Sequence, residues 1–401
     1  MENDFPTEPD ERIESLDALR GLALFGVLMV NLQTEFRVSL LRFYSTFHTH
    51  PGYANLATDD AIRFLLESKA FAIFSFLFGV GLAMFFERTG RRGRGRPMRL
   101  LLRRLVVLLA LGFVHMLFWN GDILLAYAIA GLLVSPVLLA GPRLAAVLAL
   151  AFAAIGVLPL PLPGLPAHAT MLQQGIAATA VYGGGSFGDI FRFRWNETRL
   201  YIAPLLLGCI PRIAGLMLAG MAVWRLGLIS NPRRQLRLYQ VVALAGFAIG
   251  CGGSALTLLD QAGRIHLNGL VRMVVYPSET VPFAFGYVAF FFCAVASERG
   301  KWLLRLFAPI GRMALTSYVT QSLVLSFVFF GYGLGLCGRL PSAPVALGGI
   351  AFYAFQIGTS HLWLSRFRFG PLEWIWRSLT FGSVQPLRRA PAASDRARPL
   401  D

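Results

Sequence analysis

Apolar stretches of about 18 to 22 residues recur along this chain, and each is long enough to cross a hydrocarbon layer about 30 Å thick as a helix. That repetition constrains the fold more than any motif. Hydrophobic residues make up 56% of the 401 and charged residues only 14%, so an ordinary soluble enzyme is excluded. The runs begin with Leu16–Asn31, Lys69–Phe86, Leu105–Trp119, Asp122–Ala140 and Leu144–Leu158. A longer one, Leu200–Leu226, is interrupted at Pro211-Arg212, and four more lie near 238–259, 281–297, 313–331 and 343–362. The sequence therefore predicts an all-α polytopic membrane helix bundle of about ten transmembrane helices. No small-residue cleavage site follows the first run, which reads as a retained span.

Arginine placement sets the orientation. The net charge of +16 would fit nucleic acid, but the basic residues cluster in alternate loops, as the positive-inside rule requires of a membrane protein. The densest block, Arg88–Arg104, belongs in the cytoplasm. With ten spans both termini are then cytoplasmic, and about 26 of the 37 basic residues fall on that side. The expected organisation is a cytoplasmic tail over 1–15, one transmembrane domain over 16–382 and a disordered cytoplasmic tail over 383–401. Within the domain, blocks 16–160 and 200–382 flank an external segment, 161–199, whose Gly, aromatic residues, Arg192 and Arg194 fit a lid or surface helix. GPLEWIWR, with Trp374 and Trp376, reads as an interfacial helix.

Polar groups inside apolar runs are costly and face the protein interior or a wet cavity. In LDALRGLALFGVLMVN, the residues Asp17, Arg20, Leu24, Val27 and Asn31 fall at spacings of three and four and share one helix face. Arg20 and Asn31 stand roughly 16 Å apart along the axis. This predicts a polar track across the bilayer with an anion-binding end at Arg20 and Asp17, although a juxtamembrane pair that only sets orientation fits those two as well. The hairpin GFVHMLFWNGDILLAYAIAGL puts His115 one turn before its Asn120-Gly121 turn and Asp122 just after it. An Asp orienting an imidazole that takes a proton from a hydroxyl is a general-base arrangement. Asp122 equally fits a helix cap, and His115 a buried histidine bonded to a neighbouring carbonyl.

Arg212, Arg312 and Gln321 also lie in apolar runs, as packing pairs or cavity lining. His48, His50, His168 and His361 fall in loops or near span ends. Cys209, Cys251, Cys293 and Cys337 have no metal or disulfide spacing and read as small buried hydrophobes. No metal site is predicted.

The blocks RIESLDALRGLALFGVLMVN, FSFLFGVGLAMF, GFVHMLFWNGDILLAYAIAGL and GRMALTSYVTQSL…GPLEWIWRSLTFG, in this order, resemble the YeiB-like family of bacterial inner-membrane proteins. The resemblance runs from about Arg12 to Gly382. The family in turn looks like a branch of the transmembrane acyltransferases, which take an acyl group from cytoplasmic acyl-CoA and deliver it to a sugar across the membrane. By that resemblance Arg20 matches a basic position near the donor. Asn31 stands where the bacterial O-acyltransferases carry a histidine and where the lysosomal heparan acetyltransferase carries asparagine. An amide cannot act as a base, and the histidine found further along in the heparan enzyme corresponds here to Arg42. His115 is then the expected base, with Asp122 beside it, Asn31 orienting the acyl group, and His48 next in line.

The expected function is an inner-membrane acyltransferase using acyl-CoA and an unknown acceptor on the outer side, a glycan, a lipid or a small molecule. The alternative is a transporter using the same track without covalent chemistry. No repeated half and no matched pair of broken helices favour it. The lipid bilayer is the expected partner, and nucleic acid is not.

Overall fold

The computed structural model describes residues 13–45, 52–91, 96–157, 168–229, 234–261, 263–269, 271, 272, 275 and 279–389. The expected tails before residue 13 and after 389, His48, His50, the PLPLPGLP run and the side chain of His168 lie outside the described residues. The rest is helical, with one isolated β-bridge, Phe367 to Arg388, among the described residues.

In chain order the helices are α1 (Glu14–Asn31), α2 (Leu40–Ser45), α3 (Tyr53–Leu65), α4 (Lys69–Arg91), α5 (Pro97–Phe118) and α6 (Leu124–Val134). Then come α7 (Pro142–Val157), α8 (His168–Gly184), α9 (Phe187–Glu197), α10 (Ala203–Arg225) and α11 (Leu236–Gln261). The last five are α12 (Thr280–Ala296), α13 (Lys301–Arg312), α14 (Ala314–Phe329), α15 (Ser342–Arg366) and α16 (Pro371–Phe381). The end of the bundle where α4 finishes and α5 starts is called the basic end below, and the opposite one the far end.

The chain is a polytopic membrane helix bundle. Among the described residues, four stretches have both the length and the apolarity of a crossing helix: Glu14–Phe36, Tyr53–Arg91, Pro97–Phe118 and Leu236–Asp260. A fifth is added if Thr280–Ala296 and Glu298–Arg312, bent by 109°, count as one broken span. The sequence reading of about ten also counts shorter apolar helices such as Leu124–Leu139, Pro142–Phe152 and Ala314–Phe329. The first of these is short for a physical reason: Pro136 turns the end of α6 into a 3-10 helix, Ser135–Leu139. Large apolar side chains point outward, as lipid rather than water demands. Leu244 on α11 and Leu347 on α15 are 75% and 68% exposed.

Small residues let the helices close up, the usual device where no aqueous hydrophobic effect drives association. A Cβ on Gly79 of α4 would lie 2.0 Å from the Met217 carbonyl oxygen of α10, and one on Gly220 would lie 2.1 Å from that of Phe76. The close contact that glycine allows is therefore present at Gly79. Gly81 instead faces Arg20, whose Nη2 is 3.6 Å from where its Cβ would be.

The segment ERGKWLLRLFAPIGR, between the apolar runs near 281–297 and 313–331, contains the amphipathic helix α13. It packs along α1, with Ala308 and Ile310 buried and Trp302 exposed. The interfacial helix expected at GPLEWIWR is α16. Its Trp376 Nε1 donates to the Arg104 carbonyl at 2.8 Å, and the Arg104 guanidinium lies 3.6 Å from the Trp376 ring centre.

Candidate functional site

A cavity of about 310 Å3 begins at the basic end and runs into the bundle. On α1 it is lined by Ile13, Leu16, Asp17, Arg20, Leu24 and Val27, and the lining stops there. The face read from the three-and-four spacing is thus the cavity face for four of its five members. Arg20 Nη1 donates to Asp17 Oδ1 at 2.6 Å, with both side chains partly exposed in the cavity. Arg88, Arg104, Arg312 and Arg377 join Arg20 in the lining. Five guanidinium groups against the carboxylates of Asp17 and Glu373 make this end strongly cationic.

Glu373 serves another purpose. From α16 it reaches the N-terminus of α14, where Oε1 accepts from the Leu315 and Thr316 amides at 2.7 and 3.1 Å. Its Oε2 accepts from the Thr316 hydroxyl at 2.5 Å. An acidic group from another helix thus caps otherwise orphaned N–H donors at the positive end of the α14 dipole. Burial pushes this carboxyl above its ordinary range, against the opposing pull of those donors.

Deeper in, the walls turn apolar, and the cavity ends at Ile123, Leu124, Tyr127 and Tyr318. Behind that end lies the second polar group. His115 Nδ1 is 2.7 Å from Asp122 Oδ1, and His115 Nε2 is 2.5 Å from Ser322 Oγ. His115, Asp122 and Ser322 are 4%, 0% and 2% exposed. Asp122 Oδ2 meanwhile accepts from the Leu125 amide at 3.0 Å, so the carboxylate caps α6 and holds the imidazole at once.

The local sequence makes this possible. Asn120-Gly121 turns the chain between α5 and α6, and Gly112 leaves α5 bare where α6 begins. A Cβ on Gly112 would sit 2.6 Å from the Leu125 nitrogen and 3.1 Å from Asp122 Oδ2. A side chain at Gly121 would collide with the carboxylate of Glu35, carried on the π-helical turn Leu32–Phe36 that follows α1.

The arrangement has a defined proton inventory. With Asp122 ionised and the Nδ1 proton pointing at it, Nε2 is free to accept from the Ser322 hydroxyl. Ser322 Oγ also lies 2.8 Å from the Val319 carbonyl. If its single proton turns there, Nε2 must carry a proton instead, and the imidazolium is balanced by Asp122. A hydroxyl, an imidazole and a carboxylate in series form a nucleophile, base and orienter.

Tyr318 separates this group from the cavity. Its ring centre is 5.5 Å from that of His115 and 5.9 Å from that of Trp119. Its hydroxyl oxygen accepts from the Ile123 amide at 3.3 Å, which leaves the phenolic proton to donate. Trp119 in turn stacks on Phe36 at 5.1 Å, and Phe36 meets Phe329 and Phe330. These rings close the far half of the bundle.

On the far side of the rings is a knot that ties α9 to the α5–α6 turn. Asn120 Nδ2 donates to Glu197 Oε2 at 2.7 Å, and the Tyr182 hydroxyl also donates to Glu197. Arg194 Nη1 donates to the Leu117 and Phe118 carbonyls at the end of α5, a cation on the negative end of that helix. The segment read as a lid or surface helix is two helices, α8 and α9, and α9 is pinned by buried polar groups.

The structure thus brings His115 and Asp122 together and sets Arg20 with Asp17 on the cavity. It does not bring all the expected residues onto one surface. Asn31 is half-buried beyond the last cavity residue of α1, and His115 stands behind Tyr318. Gln321 makes a packing pair, with its Nε2 donating to Gln356 Oε1 at 2.8 Å. Ser322 and Tyr318 were missed. The available signal was the row Ser317, Gln321, Ser322 and Ser326, all of them buried.

Residues 223–383 match a family model described as "Protein of unknown function (DUF418)". The segment contains Ser322 but not His115, Asp122 or Arg20. Over its whole length the chain is similar to bacterial proteins. It is 32% identical to "Uncharacterized protein YxaH" of Bacillus subtilis (strain 168), over 96% of this chain and 98% of that one. It is 30% identical to "Uncharacterized protein YeiB" of Escherichia coli (strain K12), over 94% and 98%. An "Uncharacterized 39.9 kDa protein in amylase 3'region" of Bacillus acidopullulyticus is 28% identical over 95% and 97%.

Proposed function

We propose that this chain, which belongs to the YeiB-like family of bacterial membrane proteins, is an inner-membrane acyltransferase. Its acyl group comes from cytoplasmic acyl-CoA and passes to an acceptor hydroxyl or amine of a glycan, lipid or small molecule at the outer side. The carrying observation is the join between two unlike sites. A cationic cavity leads through apolar walls to Tyr318, and an imidazole held by a buried carboxylate stands directly behind it.

Each part has a task. The positive-inside rule puts the basic end in the cytoplasm, where Arg20 and the neighbouring arginines hold the donor phosphates by charge-assisted hydrogen bonds. Leu24, Val27, Phe74 and Phe78 suit the pantetheine arm and acyl chain. Tyr318, whose hydroxyl is polarised by the Ile123 amide, donates to the thioester carbonyl and takes the part expected of Asn31. His115, its tautomer fixed by Asp122, removes the proton from the attacking group.

The test is release of free coenzyme A from acetyl-CoA by the purified protein. His115→Ala is expected to lower the rate about 100- to 10,000-fold. Equal rates for the two proteins would remove the assigned base. No release by wild type, with acyl-CoA-independent flux into proteoliposomes, would favour the transporter.

A further inference from the structure

We infer that Ser322 is itself acylated, so that transfer proceeds in two steps through a serine ester inside the membrane domain. The inference rests on the acyltransferase reading and deepens it. A base acting only on an incoming acceptor needs no protein hydroxyl on its proton-accepting nitrogen. Here that place is filled: Ser322 Oγ is 2.5 Å from His115 Nε2, while Nδ1 is engaged by Asp122 at 2.7 Å.

Position on α14 supports the same conclusion. Ser322 follows Tyr318 by four residues, one turn along the same helix face. The last cavity residue of that helix and the hydroxyl therefore neighbour each other, with the imidazole beside both. An acyl carbonyl arriving at the cavity end meets the Tyr318 hydroxyl first and needs about one helical turn more, roughly 5 Å, to reach Oγ. A side-chain rotation of Tyr318 opens that distance. The 2.8 Å bond from Ser322 to the Val319 carbonyl gives the hydroxyl a resting orientation of the kind serine adopts in helices.

The chemistry balances. In the first step the Oγ–H proton passes to His115 Nε2, Oγ forms a bond to the acyl carbon, and the carbon–sulfur bond breaks. The thiolate takes the proton from His115 and leaves as free coenzyme A. In the second step an acceptor hydroxyl or amine, or water, gives its proton to His115 and attacks the ester. The Oγ–carbon bond then breaks, and Ser322 recovers its proton from the imidazole. One base serves both halves because every proton is returned.

The experiment uses the full chain in detergent with radiolabelled acetyl-CoA, quenched in acid. Wild type is expected to retain up to one acetyl group per chain, stable to acid and released by hydroxylamine. Ser322→Ala, nearly the same size, is expected to retain none and to release coenzyme A at least 100-fold more slowly. Ser322→Cys is expected to retain a label released by neutral hydroxylamine, the signature of a thioester, and a folding defect would not produce that change. Should Ser322→Ala release coenzyme A at the wild-type rate, transfer is direct. That outcome overturns the serine ester and leaves the acyltransferase standing. Absence of both label and release in wild type overturns both.

Discussion

The two ends of the bundle treat charge in opposite ways. At the basic end, five arginines line a cavity of about 310 Å3 together with Asp17 and Glu373. At the far end, every group of the Asp122–His115–Ser322 series touches the next, and all three are nearly sealed from solvent. A roomy site lined by arginines suits an anionic ligand that must come and go. A closed, fully paired series is built to move protons without reorganising. In the proposed reaction, the two in one path would divide labour between recognition and chemistry.

The sharpest way to break that division is Asp122→Asn. Asparagine caps helices about as well as aspartate, so the start of α6 survives and the melting temperature stays near wild type. The imidazole loses its tautomer, and the rate of coenzyme A release is expected to fall about 10,000-fold with little change in KM. A loss of stability in place of the loss of rate would make Asp122 a cap only.

At the other end, Arg20→Gln is expected to raise the KM for acetyl-CoA about 10- to 100-fold, the value of one lost charge-assisted hydrogen bond, with kcat nearly unchanged. Added salt should weaken donor binding by wild type more than by the variant. An unchanged KM with a fallen kcat would dissolve the distinction between the ends.

Glu373 lies in the cationic end yet belongs with the closed groups by its bonding. Glu373→Ala is expected to cost about 1 to 2 kcal/mol in denaturant unfolding, the value of a lost cap. Glu373→Gln, which keeps Oε1, should cost less.

The smallest effect concerns Glu197. Burial raises its carboxyl above the ordinary 4.5, although Tyr182 and Asn120 pull it back. A carboxyl raised in the folded chain favours folding in its protonated form. That contribution is complete below 4.5 and is lost as pH rises through the folded value. Protection of the α9 amides, taken relative to the base-catalysed intrinsic exchange rate, should therefore fall with rising pH over that range, and Glu197→Gln should flatten the response.

Helical spacing made the cavity face of α1 legible, and a tight turn made His115 and Asp122 neighbours before any folding was considered. The ring stack of Phe36, Trp119 and Phe329 was not legible. It closes the far half of the bundle, so the cavity stops at Val27 although Asn31 continues the same face. Ser322 lies 207 residues from His115, and nothing in local periodicity connects them; only the tertiary packing that brings α14 to the end of α5 does. Likewise the capping partner of α14 comes from α16, a helix whose tryptophans read as membrane anchors while its glutamate gave no sign of its role. Span number is hard to read for a related reason, since helices such as α6 are ended by proline before they reach full length.

The ring stack has an electrical consequence. The cavity reaches inward from the basic end as far as Tyr318, so in a membrane the voltage would fall mainly over the closed far half of the bundle. Moving one elementary charge through a full 100 mV is worth about 2.3 kcal/mol. A proton passed across His115 would cross part of that field.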